Sequence, residues 1–163
     1  MHRAASPLTA AGVVFVVCSI AAVGASAQVS PSAVANAIHE RVELLRAGRP
    51  LAIGGEPIVS RQVLPQFYET RCFEAAWGPE ALEQLQRAVE QAFEEGLNPD
   101  DYHRRALSTM IQTLRSGAAG SDLAAETDIL ATDAVVRLAY HLFFGKVDPE
   151  ALDPDWNAAR LID

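Results

Sequence analysis

The segment "LAAETDILATDAVVRLAYHLFF", residues 123–144, restricts the fold more than any other. Ile129, Leu130, Ala134, Val135, Leu138, Ala139, Leu142 and Phe143 form a broad stripe at helical spacing, and near its end the segment is apolar almost all round. A helix of that kind needs cover on several sides. It predicts a central helix, stopped by Gly145, inside an all-α domain.

The rest of the chain offers the covering helices. Ser30 suits an N-cap and Pro31 a first helical position, where the absent N–H costs nothing. Val34, Ile38, Val42 and Leu45 then recur on one face, with Gly48 as a stop. Pro65 belongs in the first turn of a short helix whose apolar side is Leu64, Phe67 and Tyr68. Pro79 opens a longer one, to about Glu95, with Leu82, Leu85, Val89, Ala92 and Phe93 as its stripe and Gly96 as its end. Asn98, Pro99, Asp100 and Asp101 read as the capped start of a further helix through Met110, Ile111 and Leu114. "SGAAGSD", residues 116–122, is a loop, and the tail after Gly145 reads as an extended segment with turns and then the opening of another helix. Leu51–Ile53 and Pro57–Val59 flank Gly54-Gly55, which predicts a tiny hairpin that must rest on helices. The expected architecture is all-α, an irregular bundle of about five helices with a small β-hairpin near residues 51–59.

Before this domain stand His2 and Arg3, an uncharged apolar run from Ala10 to Val23, and "GASAQ". Ala25 and Ala27 fit a signal-peptidase site, and the run is short for a membrane span. Residues 1–27 are therefore expected to be a cleavable signal peptide and residues 28–163 the domain. Cleavage leaves no stable membrane span. Removing Arg3 takes the formal charge from −8 to −9. With no basic stripe, the acidic balance argues against a nucleic-acid partner. Cys18 falls within the leader, so Cys72 alone remains and no internal disulfide can form, although one to another chain can.

No chemistry-bearing motif stands out. His39, His103 and His141 form no pair at helical metal spacing, and HExxH and CxxC are absent. Asp148, Glu150, Asp153 and Asp155 lack the glycine and terminal glutamate of a calcium loop. Phosphate-binding glycine motifs and a GxSxG elbow are also absent. Cys72 would need a base, a cation or a helix N-terminus to become a thiolate. It falls instead at the C-terminal end of the short helix, where the helix dipole opposes negative charge. It reads as a packing position, and His141 as a hydrogen-bonded core residue. The sequence thus assigns no catalytic, cofactor-binding or metal-binding residue, and no cofactor.

Three stretches in order, "VLPQFYETRCFEAAW", "AFEEGLNPDDYH" and "ATDAVVRLAYHLFFGKVDPEALDPDW", resemble the non-catalytic N-terminal scaffold of the large periplasmic L,D-transpeptidases. The resemblance runs from about Val59 to Asn157. It implies a mainly helical domain beside a catalytic domain of mostly β structure that cross-links peptidoglycan in Gram-negative bacteria. The family's catalytic histidine and its S/T-x-GC-x-R cysteine have no counterpart here, and "TRCFE" does not match that motif. No catalytic role passes to Cys72, and whether the chain is an enzyme stays open. The resemblance implies that Phe67, Tyr68, Arg71, Phe73 and Trp77 knit the short helix to the bundle. The expectation is a periplasmic scaffold, truncated before its catalytic domain, that positions that domain or a periplasmic partner. The alternatives are a free-standing module binding peptidoglycan or a protein, and a small cysteine enzyme.

Overall fold

The computed structural model describes residues 30–117 and 119–146. The expected signal peptide and the segment after Lys146 lie outside the described residues. The elements are α1 (Pro31–Arg46), β1 (Ala52–Ile53), β2 (Glu56–Pro57), α2 (Val63–Thr70), α3 (Pro79–Gln91), α4 (Arg104–Arg115) and α5 (Ser121–Phe144). A 3-10 turn, Ala92–Glu95, extends α3, and a second, Pro99–Tyr102, precedes α4. The domain is the expected all-α bundle with a small hairpin.

The stripes read from the sequence form one core. Val34, Ile38, Val42 and Leu45 of α1, Leu82, Leu85 and Val89 of α3, and Leu107 and Ile111 of α4 are buried together with Ile129, Leu130 and Ala134 of α5. α5 touches each of the other four helices. Arg41 on α1 reaches Asp122 and Glu126 on α5 at 3.0 and 2.8 Å, closing the edge of that seam. Among the described residues, no helix is long and apolar enough to cross a membrane.

The hairpin is antiparallel, with Ala52 opposite Pro57 and Ile53 opposite Glu56. Its two-residue turn, Gly54-Gly55, has φ of 58° and 83°, the left-handed pair that matches strand twist. A side chain on Gly54 would also meet Ala106 Cβ at 3.4 Å, so the turn lies against α4. Buried Ile53 and Ile58 anchor it. Two strands this short gain their stability from that support.

Four expectations need correction. The helix predicted from Asn98 is interrupted. Asn98 caps only the 3-10 turn, accepting from Asp100 N at 3.1 Å, and His103 then turns left-handed with φ of 59° before α4 begins. Phe93 is 76 % exposed, because the last turn after α3 tightens to 3-10 geometry and rotates it off the stripe. Ala139, Leu142 and Phe143 lie on the exposed end of α5. At 24 residues that helix is about 36 Å long, against about 24 Å for the 16-residue α1, so its last turns outrun their cover. Cys72 is exposed, not packed. It and Phe73 have φ of 52° and 61°, a left-handed pair at the end of α2 that turns the thiol outward and the Phe73 ring onto His39, 4.3 Å between centroids.

Candidate functional site

Two polar clusters are built into the otherwise apolar middle of α5. Thr127, Asp128, Thr132 and Asp133 are all buried there. An aspartate in such a place is retained only if its carboxylate is fully hydrogen-bonded, and both are.

Asp128 fastens the connection between α2 and α3. Its Oδ2 accepts from Ala76 N and Trp77 N, each at 2.9 Å. Its Oδ1 accepts from the Tyr68 hydroxyl at 2.7 Å. Thr132, one turn on, lies 2.8 Å from the Tyr68 hydroxyl and accepts from the Trp77 indole at 2.9 Å. Burial pushes the Asp128 carboxyl above its ordinary range, against the opposing bonds from Tyr68, Ala76 and Trp77. Burial and the neighbouring Asp128 push the Tyr68 hydroxyl far above its own. Tyr68 and Trp77 therefore knit α2 and its exit to the central helix, and Phe73 ties the same exit to α1 through His39. Arg71 closes the same turn, with its guanidinium 5.6 Å from the Phe67 ring centroid.

Asp133 fastens the exit from the hairpin and the break before α4. Its Oδ1 accepts from Val59 N at 3.0 Å and Ser60 N at 2.6 Å. Its Oδ2 lies 2.7 Å from His103 Nε2. Burial pushes this carboxyl up, but the His103 hydrogen bond and those from Ser60 outweigh it and hold it below its ordinary value. The ionised carboxylate can only accept, so Nε2–H donates. The left-handed turn at His103 is what aims the imidazole at α5.

A buried Asp–His pair can orient a catalytic base. This one is not arranged for that. The other ring nitrogen, Nδ1, faces Glu56 Oε2 at 3.4 Å, where a nucleophile's hydroxyl or thiol would have to stand. His141, expected in the core, is only partly buried. Its Nδ1 pairs with the Tyr102 hydroxyl at 3.0 Å, and burial, with Arg137 and Lys146 beside it, holds its pKa below the usual imidazole value. Among the described residues, no group of three or more His, Cys, Asp or Glu side chains could hold a metal ion.

Two concavities flank these clusters. A cleft of about 270 Å³ between α1, α3, α4 and α5 is lined mainly by apolar groups such as Trp77, Leu82 and Ile111. Asp128 reaches it, but its oxygens are already bonded to Tyr68, Ala76 and Trp77. The second, an open groove of about 550 Å³, runs between the β2–α2 connection and the later turns of α5. Its walls carry Val59, Val63 and Tyr140, 54, 46 and 58 % exposed, together with Arg61 and Arg137. Beyond it, Leu142 and Phe144 continue the exposed apolar end of α5.

Sequence reasoning named neither cluster. The polar residues that matter, His103, Asp128, Thr132 and Asp133, had one available signal: Thr132 and Asp133 interrupt the most apolar run in the chain. A family model described as Scaffold domain, the scaffold domain family of L,D-transpeptidases, matches residues 62–161. No curated protein and no solved structure matches the chain.

Proposed function

The chain belongs to the scaffold domain family of L,D-transpeptidases, and we propose that it is the non-catalytic, partner-holding part of a periplasmic system that cross-links peptidoglycan. A scaffold must be rigid on its own and must show a surface to what it holds. The bundle meets the first need: among the described residues every buried side-chain nitrogen and oxygen has a hydrogen-bond partner.

The observation that carries the reading is the apolar surface left outside that closed interior. Val59, Val63 and Tyr140 are exposed around one groove, and the exposed Phe144 ring continues it, 4.8 Å from that of Tyr140. Contiguous exposed apolar surface marks an interaction site. The partner is a transpeptidase catalytic domain, in the same polypeptide or another. The leader-like residues 1–27 support a periplasmic setting.

The test mixes residues 28–163 with the purified L,D-transpeptidase catalytic domain of the same genome and follows sedimentation velocity. A one-to-one complex is expected. Independent sedimentation of the two components contradicts the reading. Pelleting of the chain with purified sacculi in the absence of that domain favours a free-standing peptidoglycan-binding module instead.

A further inference from the structure

We propose that the groove walled by Val59, Arg61, Val63, Val136, Arg137 and Tyr140 seats a segment of the catalytic domain in which a carboxylate flanks an apolar side chain. The proposal rests on the scaffold reading and names the surface and the chemistry of its partner.

Exposed apolar groups define the place. Of the large hydrophobic side chains exposed among the described residues, Val59, Val63 and Tyr140 line this groove, and Leu142, Phe143 and Phe144 follow on the same helix. Phe93 stands apart, on the turn after α3.

Charge defines the occupant. The chain as a whole carries a formal charge of −8, yet the ionisable residues lining this groove are Arg61, Arg137 and His141. Arg61 makes no ion pair among the described residues, and its Nε donates only to the Ile58 carbonyl at 3.3 Å. Arg137 comes within 3.9 Å of Asp133 Oδ2, an oxygen already bonded to His103 at 2.7 Å. Arg137 also lies 3.4 Å from His103 Nε2 and so faces the buried pair, which leaves Arg61 as the cation at the groove without an acidic partner among the described residues. An unpaired guanidinium beside exposed apolar side chains, on an acidic protein, favours a carboxylate beside an apolar anchor.

Preorganisation supports the fit. Asp133 holds the Val59 and Ser60 amides, so the wall that bears Val59 and Arg61 is fixed before anything binds. A prearranged wall lowers the ordering cost of association. Asp128 fastens a different connection and does not touch this groove.

The experiment is titration calorimetry of residues 28–163 with the purified catalytic domain. Arg61→Glu and Tyr140→Ala are each expected to weaken binding about tenfold or more. Phe93→Ser, at an apolar and more exposed position outside the groove, should stay within about twofold. Wild-type affinity should fall between about 50 and about 500 mM salt, and fall less for Arg61→Gln. Unchanged urea midpoints in the variants establish that folding is not the cause. Wild-type binding with undiminished affinity in both groove variants overturns this proposal and leaves the scaffold reading standing. No binding by the wild type overturns both. Saturable shifts of the Tyr140 and Val63 resonances with a muropeptide, in place of the domain, overturn the choice of a protein segment.

Discussion

Asp128 and Asp133 lie five positions apart on α5, and each accepts two backbone N–H groups from an irregular connection: Ala76 and Trp77 in one case, Val59 and Ser60 in the other. Both are buried. Their carboxyls nevertheless move in opposite directions, up for Asp128 and down for Asp133. Burial acts on both and the amide pairs are alike. What differs is the side-chain partner, a neutral phenol from Tyr68 against an imidazole from His103. A paired N–H clamp can thus hold a buried carboxyl in place without fixing the direction in which its pKa moves. Burial and the remaining partners together set that direction.

The largest expected effect breaks the second clamp. Asp133→Ala leaves the His103 imidazole and two amides buried without their acceptor. It should cost about 3–5 kcal/mol in urea unfolding at neutral pH. A loss under about 1 kcal/mol would mean that the pair is not load-sharing in the folded state. Asp128→Ala should cost less, about 2–3 kcal/mol, because the Tyr68 hydroxyl and the Trp77 indole both keep Thr132 as a partner. If Asp128→Ala proves the more damaging, the contrast between the clamps is wrong.

Acidity sharpens the comparison. A carboxyl lowered in the folded state adds stability above the ordinary value of 3.8, and that contribution is lost as pH falls through the folded value below it. Asp133 is of this kind. A carboxyl raised in the folded state favours folding most below 3.8, and its contribution declines as pH rises through the folded value above it. Asp128 is of that kind. The cost of Asp133→Asn should therefore grow as pH rises from about 2 to about 4.5, and the cost of Asp128→Asn should shrink above about 4. Denaturant midpoints over that range check both, and parallel curves for the two variants would rule out the assignment. The smallest effect comes from Tyr68→Phe, which removes one hydroxyl from the first clamp while Asp128 keeps both amides. It should cost about 1–2 kcal/mol in the same urea assay, and a neutral result would show that the amides alone satisfy Asp128.

The helices were legible because their stripes are solved locally. Val34 to Leu45 and Leu82 to Ala92 declare their buried faces by spacing alone, and Gly54-Gly55 declares its turn. The clamps were not legible, because an aspartate in a helical pattern counts as solvent-facing until its partner is known. The amide partners of Asp133 are 73 and 74 positions away and His103 is 30 away, and the nearest of Asp128's loop amides is 51 away. His103 was hidden for the same reason, since Asn98 to Asp101 look like the start of an uninterrupted helix. Tyr68, Trp77, His103, Thr132 and Asp133 all fall within the three stretches that resemble the scaffold family. Those stretches mark the joints between the irregular connections and α5. Cys72 was misplaced because periodicity cannot anticipate two successive left-handed residues.

The central claim is that Asp133, unlike Asp128, shapes a surface used to hold a partner. Affinity for the purified catalytic domain, measured for the wild type, Asp128→Asn and Asp133→Asn at a temperature where all three are folded, tests it most directly. The account predicts about a tenfold loss for Asp133→Asn and a change within about twofold for Asp128→Asn. Equal affinities in the two variants, whether both reduced or both intact, would contradict it.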